Sequence, residues 1–451
     1  AHLDGAALPA ELVSYRAPVP RAQVWQSIMV DDNVIIAKRR RGRRGRTDAA
    51  AGARESELVA SSFAAYRSEH LEPKPKKTIL HAKQADALGA SIDGVAGWVS
   101  AKAEHLVLAF ATLGAAIEAG GSTHEAAALS TALLTHVMLM RREAMCLMDG
   151  LYSWVLWLRG KARGFGRMPD AVADEVQVLA GLAPLLGTDL RARSHPELSC
   201  ADARSGAHPW GGLCRTAVPE EVARELWRIR TRKGGAQCLD SRALEELKRV
   251  REMFRDVGMP SELVTEVLDV PGEVTEEVAA TRDWVGDLVK ALDWRRRAFG
   301  FPLKAGEHIN FGEYRALRTC VRLLIRENVY SSRVLVCTDS NVVLGAVAKG
   351  RSRSQRLRRL QQNFVAELLY FNIYLGALPV GTADNPADDP SRLEPVRRPV
   401  EDPAPWVLRF LAGDLSAIDA KLWDGGRERW LPTPSWTPPA LDLSLIHISE
   451  P

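Results

Sequence analysis

Asp384-Asn385-Pro386-Ala387-Asp388-Asp389-Pro390-Ser391-Arg392 follows closely on an apolar run, Tyr370 to Val380. The run suits a buried strand. The Asn-Pro pair and the aspartates after it suit a turn that opens a helix. Taken alone, this is a helix start carrying spare carboxylates. Its weight comes from where other acidic residues fall upstream.

Glu197–Asp202 reads as a short strand ending in Asp202, and Arg333–Asp339 as a strand ending in Asp339. Glu313 lies in the first turns of a helical segment, Phe311–Glu327, introduced by Glu307-His308-Ile309-Asn310. Asp388 stands near the start of a helix after the strand Ile373–Val380. In a mixed sheet such ends converge. Two divalent ions about 3.5–4 Å apart need several carboxylates arriving from different elements, and Mg²⁺ prefers oxygen ligands. A single Asp at a strand end is ordinarily a cap or turn residue. The order strand-Asp, helix-Glu, strand-Asp, helix-Asp is what points to in-line hydrolysis of a phosphodiester. Cys200 and Cys337 each stand two residues before an Asp, on the same strand face, and read as packing rather than chemistry.

The 451 residues can bury a sizeable core in two to three domains. A net charge of +4 with 26% charged residues is weakly basic. Nucleic-acid binding would therefore rest on local clusters. The six cysteines form no CxxC pair, which argues against a zinc knuckle or disulfide framework. An intracellular setting, nuclear or cytoplasmic rather than secreted, is expected. No apolar stretch is long enough to span a bilayer, and no signal peptide is visible.

Working outward, Val24–Lys38 reads as strand, turn and strand about Asp31-Asp32-Asn33. The run Lys38–Arg46 holds seven Lys or Arg in nine residues. A helical segment to about His70, a Pro/Lys loop over Leu71–Lys77 and a Gly-punctuated hairpin over Leu88–Trp98 follow. Apolar residues at three- and four-residue spacing predict helices from Ala101 to Leu158, with another over 170–190. A new unit starts near Arg193, with strands at Glu197–Asp202 and Gly211–Cys214. Residues 218–293 form a charged, helix-forming block that reads as a solvated excursion. Strand 298–303, helix 311–327, strand 333–339, helices 342–350 and 354–372, and strand 373–380 complete the unit. Residues from 396 on read as a Pro/Trp-rich tail, and Ser444–Pro451 resembles translated adapter sequence and is set aside.

His308-Ile309-Asn310-Phe311-Gly312-Glu313-Tyr314, Cys337-Thr338-Asp339-Ser340, Lys349-Gly350-Arg351-Ser352 and Asn385-Pro386-Ala387-Asp388-Asp389-Pro390 resemble, in that order, the ribonuclease H domain of retroelement reverse transcriptases. Leu198-Ser199-Cys200-Ala201-Asp202-Ala203 is similar to that domain's first strand. Upstream, Ser27-Ile28-Met29-Val30-Asp31-Asp32 resembles the reverse-transcriptase palm box, Lys76-Lys77-Thr78 the loop after it, and Leu88-Gly89 the hairpin that grips the primer. The resemblance implies an α/β (α+β) chain in three parts. A partial palm of hairpins spans 1–100 and a helical thumb or connection 101–192. A ribonuclease H-like mixed five-stranded sheet with flanking helices spans 193–395, with an insertion at 218–293.

It also implies a function: hydrolysis of the RNA strand of RNA–DNA hybrids by a C-terminal fragment whose polymerase site is incomplete. Asp202, Glu313, Asp339 and Asp388 would hold two Mg²⁺ ions, or Mn²⁺, with Asp389 the competitor for the fourth place. Asp31 and Asp32 would be the palm's metal ligands. Lys38, Arg39, Arg40, Arg41, Lys77, Lys349, Arg351 and Arg353 would contact the hybrid or template-primer through its phosphates. The rival expectations are a catalytically inactive nucleic-acid-binding relic and a helical interaction protein.

Overall fold

The computed structural model describes residues 18–29, 32–38, 49–68, 78–161, 164–231, 283–352 and 354–423, together with 7, 8, 11–13, 70 and 74. Strands β1 (Val24–Met29) and β2 (Asp32–Ala37) pair antiparallel, with Met29 opposite Asp32. The hairpin is the expected one, but Asp32 and Asn33 open β2 instead of forming its turn. Val24 and Leu58 form a small core between this hairpin and helix α1 (Ala49–Ser68).

Strands β3 (Gln84–Ala87), β4 (Ala90–Asp93) and β5 (Trp98–Ala101) form a meander. Its first turn is Leu88-Gly89, with φ of +50° and +74°. Positive φ at both central residues matches the right-handed twist of the flanking strands. Helix α2 (Ala103–Glu118), strand β6 (Gly121–Thr123), helices α3 (His124–Met140) and α4 (Asp149–Arg159), strand β7 (Phe165–Arg167) and helix α5 (Asp170–Leu182) then build a bundle. Leu113, Leu134, Met138, Leu151, Trp154 and Leu179 fill its core. Strand β8 (Thr188–Asp189) returns to pair with β5.

The main sheet is mixed and five-stranded. Its strands are β9 (Arg193–Arg204), β10 (Trp210–Ala217), β11 (Arg297–Pro302), β12 (Ser332–Thr338) and β13 (Ile373–Pro379), in the order β11-β10-β9-β12-β13. The first three run antiparallel; β12 and β13 run parallel to β9. Parallel neighbours need long crossovers and cover on both faces, and helices supply both. On one face Leu198, Cys200, Cys214 and Cys337 pack against α6 (Glu220–Arg228) and α7 (Asp283–Ala291). On the other, Ala201, Leu213, Val334 and Val336 pack against α8 (Ile309–Arg326), α9 (Asn341–Lys349) and α10 (Gln355–Tyr370). The fold class is the expected one: hairpins, a helical bundle, then a ribonuclease H-like mixed sheet with flanking helices.

Helix α10 serves two cores. Leu357, Phe364 and Leu368 face the sheet, whereas Val365 and Leu369 join the bundle core. Across the sheet, Cys214 pairs with Cys200 and Cys200 with Cys337, a row of three buried thiols on adjacent strands.

Three expectations are corrected. Asp202 does not end its strand: β9 is hydrogen-bonded to β10 through Arg204, and Asp202 sits opposite Gly212. The block at 218–293 is not a solvated excursion at its ends, because Val222, Leu226, Val285, Leu288 and Val289 are core residues; residues 232–282 lie outside the described residues. The segment after 395 is not a tail through Ile418. Helix α12 (Pro405–Leu411) buries Trp406, Val407 and Phe410 in the same core, ahead of the short helix α13 (Asp419–Trp423), and Ala417 and Ile418 are buried with them. Each such side chain contributes about 1.5–3 kcal/mol on burial, which outweighs the loop-like composition around it.

Candidate metal-dependent active site

The stretch Asp384–Arg392 crosses the end of the main sheet, and a missing side chain lets it lie there. A Cβ on Gly212 would stand 2.0 Å from the Ala387 carbonyl oxygen, and one on Gly300 would stand 2.5 Å from that of Pro390. Only glycine admits backbone this close. The four-residue helix α11 (Asp388–Ser391) therefore rests directly on β10, with Asp202 on the neighbouring strand.

Asp202 on β9 lies within electrostatic reach of Asp339, just after β12, and of Asp388 on α11, and Glu313 on α8 within reach of Asp339 and Asp202. Burial pushes the Asp202 carboxyl up to about 6; a Ser391 hydrogen bond opposes the rise, and the charges of Asp339 and Asp388 add to it. Burial pushes Glu313 up to about 7, opposed by a hydrogen bond from Ser340 and reinforced by the charges of Asp339 and Asp202. Mutual repulsion of this kind is what a set of like charges sharing one low-dielectric corner produces. The Oε2 atom of Glu313 is buried and has no hydrogen-bond partner.

The surrounding side chains hold the set. Thr338 Oγ1 accepts from the Ser340 backbone N–H at 3.2 Å, and Ser340 Oγ caps α9 by accepting from Val343 at 3.3 Å. Ser391, fully buried, donates to the Asp388 carbonyl at 2.8 Å. Asn385, also fully buried, donates to the Ala201 carbonyl at 3.3 Å and to Asp339 Oδ1 at 3.4 Å.

The three aspartates of the stretch have different partners. Asp384 pairs with Lys290 at 3.3 Å. Asp389 is gripped by Arg397, whose Nε and Nη2 reach its two oxygens at 2.9 and 2.6 Å. Burial would raise the Asp389 carboxyl, but the Arg397 guanidinium outweighs it and holds the group below its ordinary value. Asp388 takes one bond, from Arg392 Nε at 2.9 Å, and adds its charge to the field at Asp202.

Among the described residues, no three His, Cys, Asp or Glu side chains form a ready-made metal-holding group. The residue types are nevertheless those a hard divalent ion takes as ligands, all carboxylate, and one oxygen, Glu313 Oε2, is buried with no hydrogen-bond partner.

The remaining predicted residues lie elsewhere. Asp32 belongs to the separate two-stranded sheet, and Asp31 lies outside the described residues. Lys38 Nζ sits 4.5 Å over the Trp25 ring. Arg39, Arg40, Arg41, Lys77 and Arg353 are outside the described residues. Lys349 ends α9, and the Arg351 guanidinium lies 5.0 Å over the Tyr152 ring of α4. Sequence reasoning missed Asn385, Ser340 and Ser391 as site-builders, although all three lie within the quoted motifs. The pair Gly211-Gly212, an unusual feature in a central strand, was the available signal for a close backbone approach.

No protein-family model matches this sequence, and the comparison with curated proteins finds no match. Among solved structures, one match is a foamy viral protease-reverse transcriptase in complex with RNA/DNA hybrid, at 10% sequence identity. The alignment covers 83% of this chain and 65% of that one, less than two thirds, with a TM-score of 0.20. A superposition this loose carries no argument. The fold rests on strand order, and the site on its own contacts.

Proposed function

We propose that this chain is a ribonuclease H-like nuclease of the reverse-transcriptase type, which hydrolyses the RNA strand of an RNA–DNA hybrid. One observation supports the reading above the rest. Asp202 and Glu313 are both raised, first by burial and then by neighbouring carboxylate charge: Asp339 acts on both, and Asp388 on Asp202.

Asp202, Glu313, Asp339 and Asp388 would hold two Mg²⁺ ions, for which Mn²⁺ would substitute. Ions so placed supply an activated water and charge stabilisation at the leaving oxygen. The chain's own part is positional. The sheet fixes Asp202, the Thr338–Ser340 turn fixes Asp339, and the glycine-floored turn fixes Asp388. Arg397 keeps Asp389 out of the set. Lys349 and Arg351 lie where α9 ends against the bundle and would contact phosphates of the bound hybrid.

A labelled RNA–DNA hybrid incubated with the full chain in Mg²⁺ tests this. Cleavage is expected, together with its loss in Asp339→Asn. If Asp339→Asn leaves Mg²⁺-dependent cleavage intact, the assignment is wrong. A second reading, hybrid binding without cleavage, is favoured by the Arg392–Asp388 bond, which occupies one proposed ligand. It predicts salt-sensitive hybrid binding with no cleavage in either Mg²⁺ or Mn²⁺.

A further inference from the structure

Asn385 ties three parts of the carboxylate site to each other. Its exposure is 0%. Its amide nitrogen donates to the Ala201 carbonyl on β9, at 3.3 Å, and to Asp339 Oδ1 beyond β12, at 3.4 Å. Its amide oxygen accepts from the Ala387 backbone N–H at 3.2 Å, which shapes the turn delivering Asp388. The Ala201 carbonyl can only accept, so the amide nitrogen must face it and the orientation is fixed by the network. All these bonds run to residues adjacent to, or part of, the proposed ligand set: Ala201 precedes Asp202, and Ala387 precedes Asp388.

We infer that Asn385 is a positioning residue for the carboxylate site, setting the spacing of Asp202, Asp339 and Asp388 through a single amide. The inference rests on the reading of those carboxylates as metal ligands. A neutral amide suits the task better than a charged donor. It takes one oxygen of Asp339 in a hydrogen bond and leaves the group's negative charge in place, whereas a lysine or arginine there would neutralise it. An aspartate at 385 would place a fifth carboxylate against Asp339 and turn an acceptor towards the Ala201 carbonyl. Alanine would leave that buried carbonyl without this bond. Partners of this kind typically change metal affinity by 10- to 100-fold when removed.

The test is a calorimetric titration of the full chain with Mn²⁺ in the absence of nucleic acid, paired with thermal melting in chelator. For Asn385→Ala, Mn²⁺ affinity is expected to fall about 10-fold or more in the folded protein. Asn385→Ser, which keeps a short hydrogen-bonding side chain, guards against a variant that does not fold and is expected to show an intermediate loss. A purely structural role would lower the melting temperature in chelator and leave Mn²⁺ affinity unchanged. Wild-type affinity in either folded variant overturns the inference while the carboxylate reading stands. Absence of Mn²⁺ binding by the wild-type chain overturns both.

Discussion

The guanidinium of Arg141, which caps the C-terminus of α3, lies 3.7 Å over the ring of Tyr374 and joins the helical bundle to the outer strand of the main sheet. Arg141 is fully buried, and its Nη2 donates to the carbonyls of Leu368 and Ile373 at 3.0 and 2.8 Å. From the other side, the Tyr374 hydroxyl accepts from the Asp189 backbone N–H at 2.6 Å. Bundle, connecting strand and sheet therefore meet at one aromatic ring.

Arg141→Ala is expected to destabilise the protein by about 2–4 kcal/mol, since it removes a desolvated cation–π contact and leaves two buried carbonyls unpaired. Arg141→Lys recovers little of the loss, because an ammonium cannot stack and fork at once. Urea denaturation midpoints check both. An unchanged midpoint in Arg141→Ala would show that the joint is not a source of stability.

Asp388 and Asp389 separate by partner. Asp388→Asn is expected to reduce Mg²⁺-dependent hybrid cleavage by roughly 100-fold or more, the order seen when a positioned electrostatic group is lost, with little change in melting temperature. Asp389→Asn is expected to do the reverse. It keeps metal-dependent cleavage and loses about 1–3 kcal/mol of stability, because it breaks a part-buried bidentate pair. Paired cleavage assays and melts distinguish the two; the opposite pattern would assign the fourth place to Asp389.

The pH dependence follows from Glu313 and Asp202. Their folded values, about 7 and about 6, lie above the ordinary 4.5 and 3.8. Across that window the folded chain holds protons that the unfolded chain has released, so stability falls as pH rises. In chelator the protein is expected to be more stable near about pH 5 than near about pH 8, by about 2 kcal/mol from these groups together after allowance for solvent screening. Glu313→Gln removes much of that slope and raises the melting temperature at the alkaline end. Denaturant melts across the pH range measure it, and a slope unaltered by Glu313→Gln would refute the account.

Gly212→Ala tests the floor of the site. The new methyl would meet the Ala387 carbonyl oxygen at 2.0 Å, and backbone cannot yield as a flexible side chain can. Overpacking of this kind costs about 1–3 kcal/mol. Displacing α11 is expected to lower cleavage by more than the stability loss accounts for. Gly345→Ala, where nothing lies within 4 Å of the added carbon, is the control.

Much of this was legible in the chain. The β-branched and apolar runs at 333–338 and 373–379 became β12 and β13, and the periodic stretches became helices. What escaped did so for identifiable reasons. Asp202 lies inside β9 because β10 supplies ladder partners through Arg204, which an isolated strand pattern cannot reveal. Trp406, Val407 and Phe410 were hidden by the prolines around them, yet they fall on one face of a short helix and bury there. Asn385 was legible as a turn residue but not as a partner of the site: Ala201 and Asp339 stand 184 and 46 positions away, and the contacts exist only once the sheet has formed.

The row Cys214–Cys200–Cys337 gives the protein an internal reporter. The thiols lie side by side on three adjacent strands, and burial holds Cys200 and Cys214 well above their ordinary ionisation range. A thiol reagent reacts with the exposed thiolate, so labelling at these positions waits on opening of the sheet itself. The rate at which a reagent consumes them would time the opening of the central strands in the unmodified chain, with no dye or engineered probe and with the carboxylate corner left untouched.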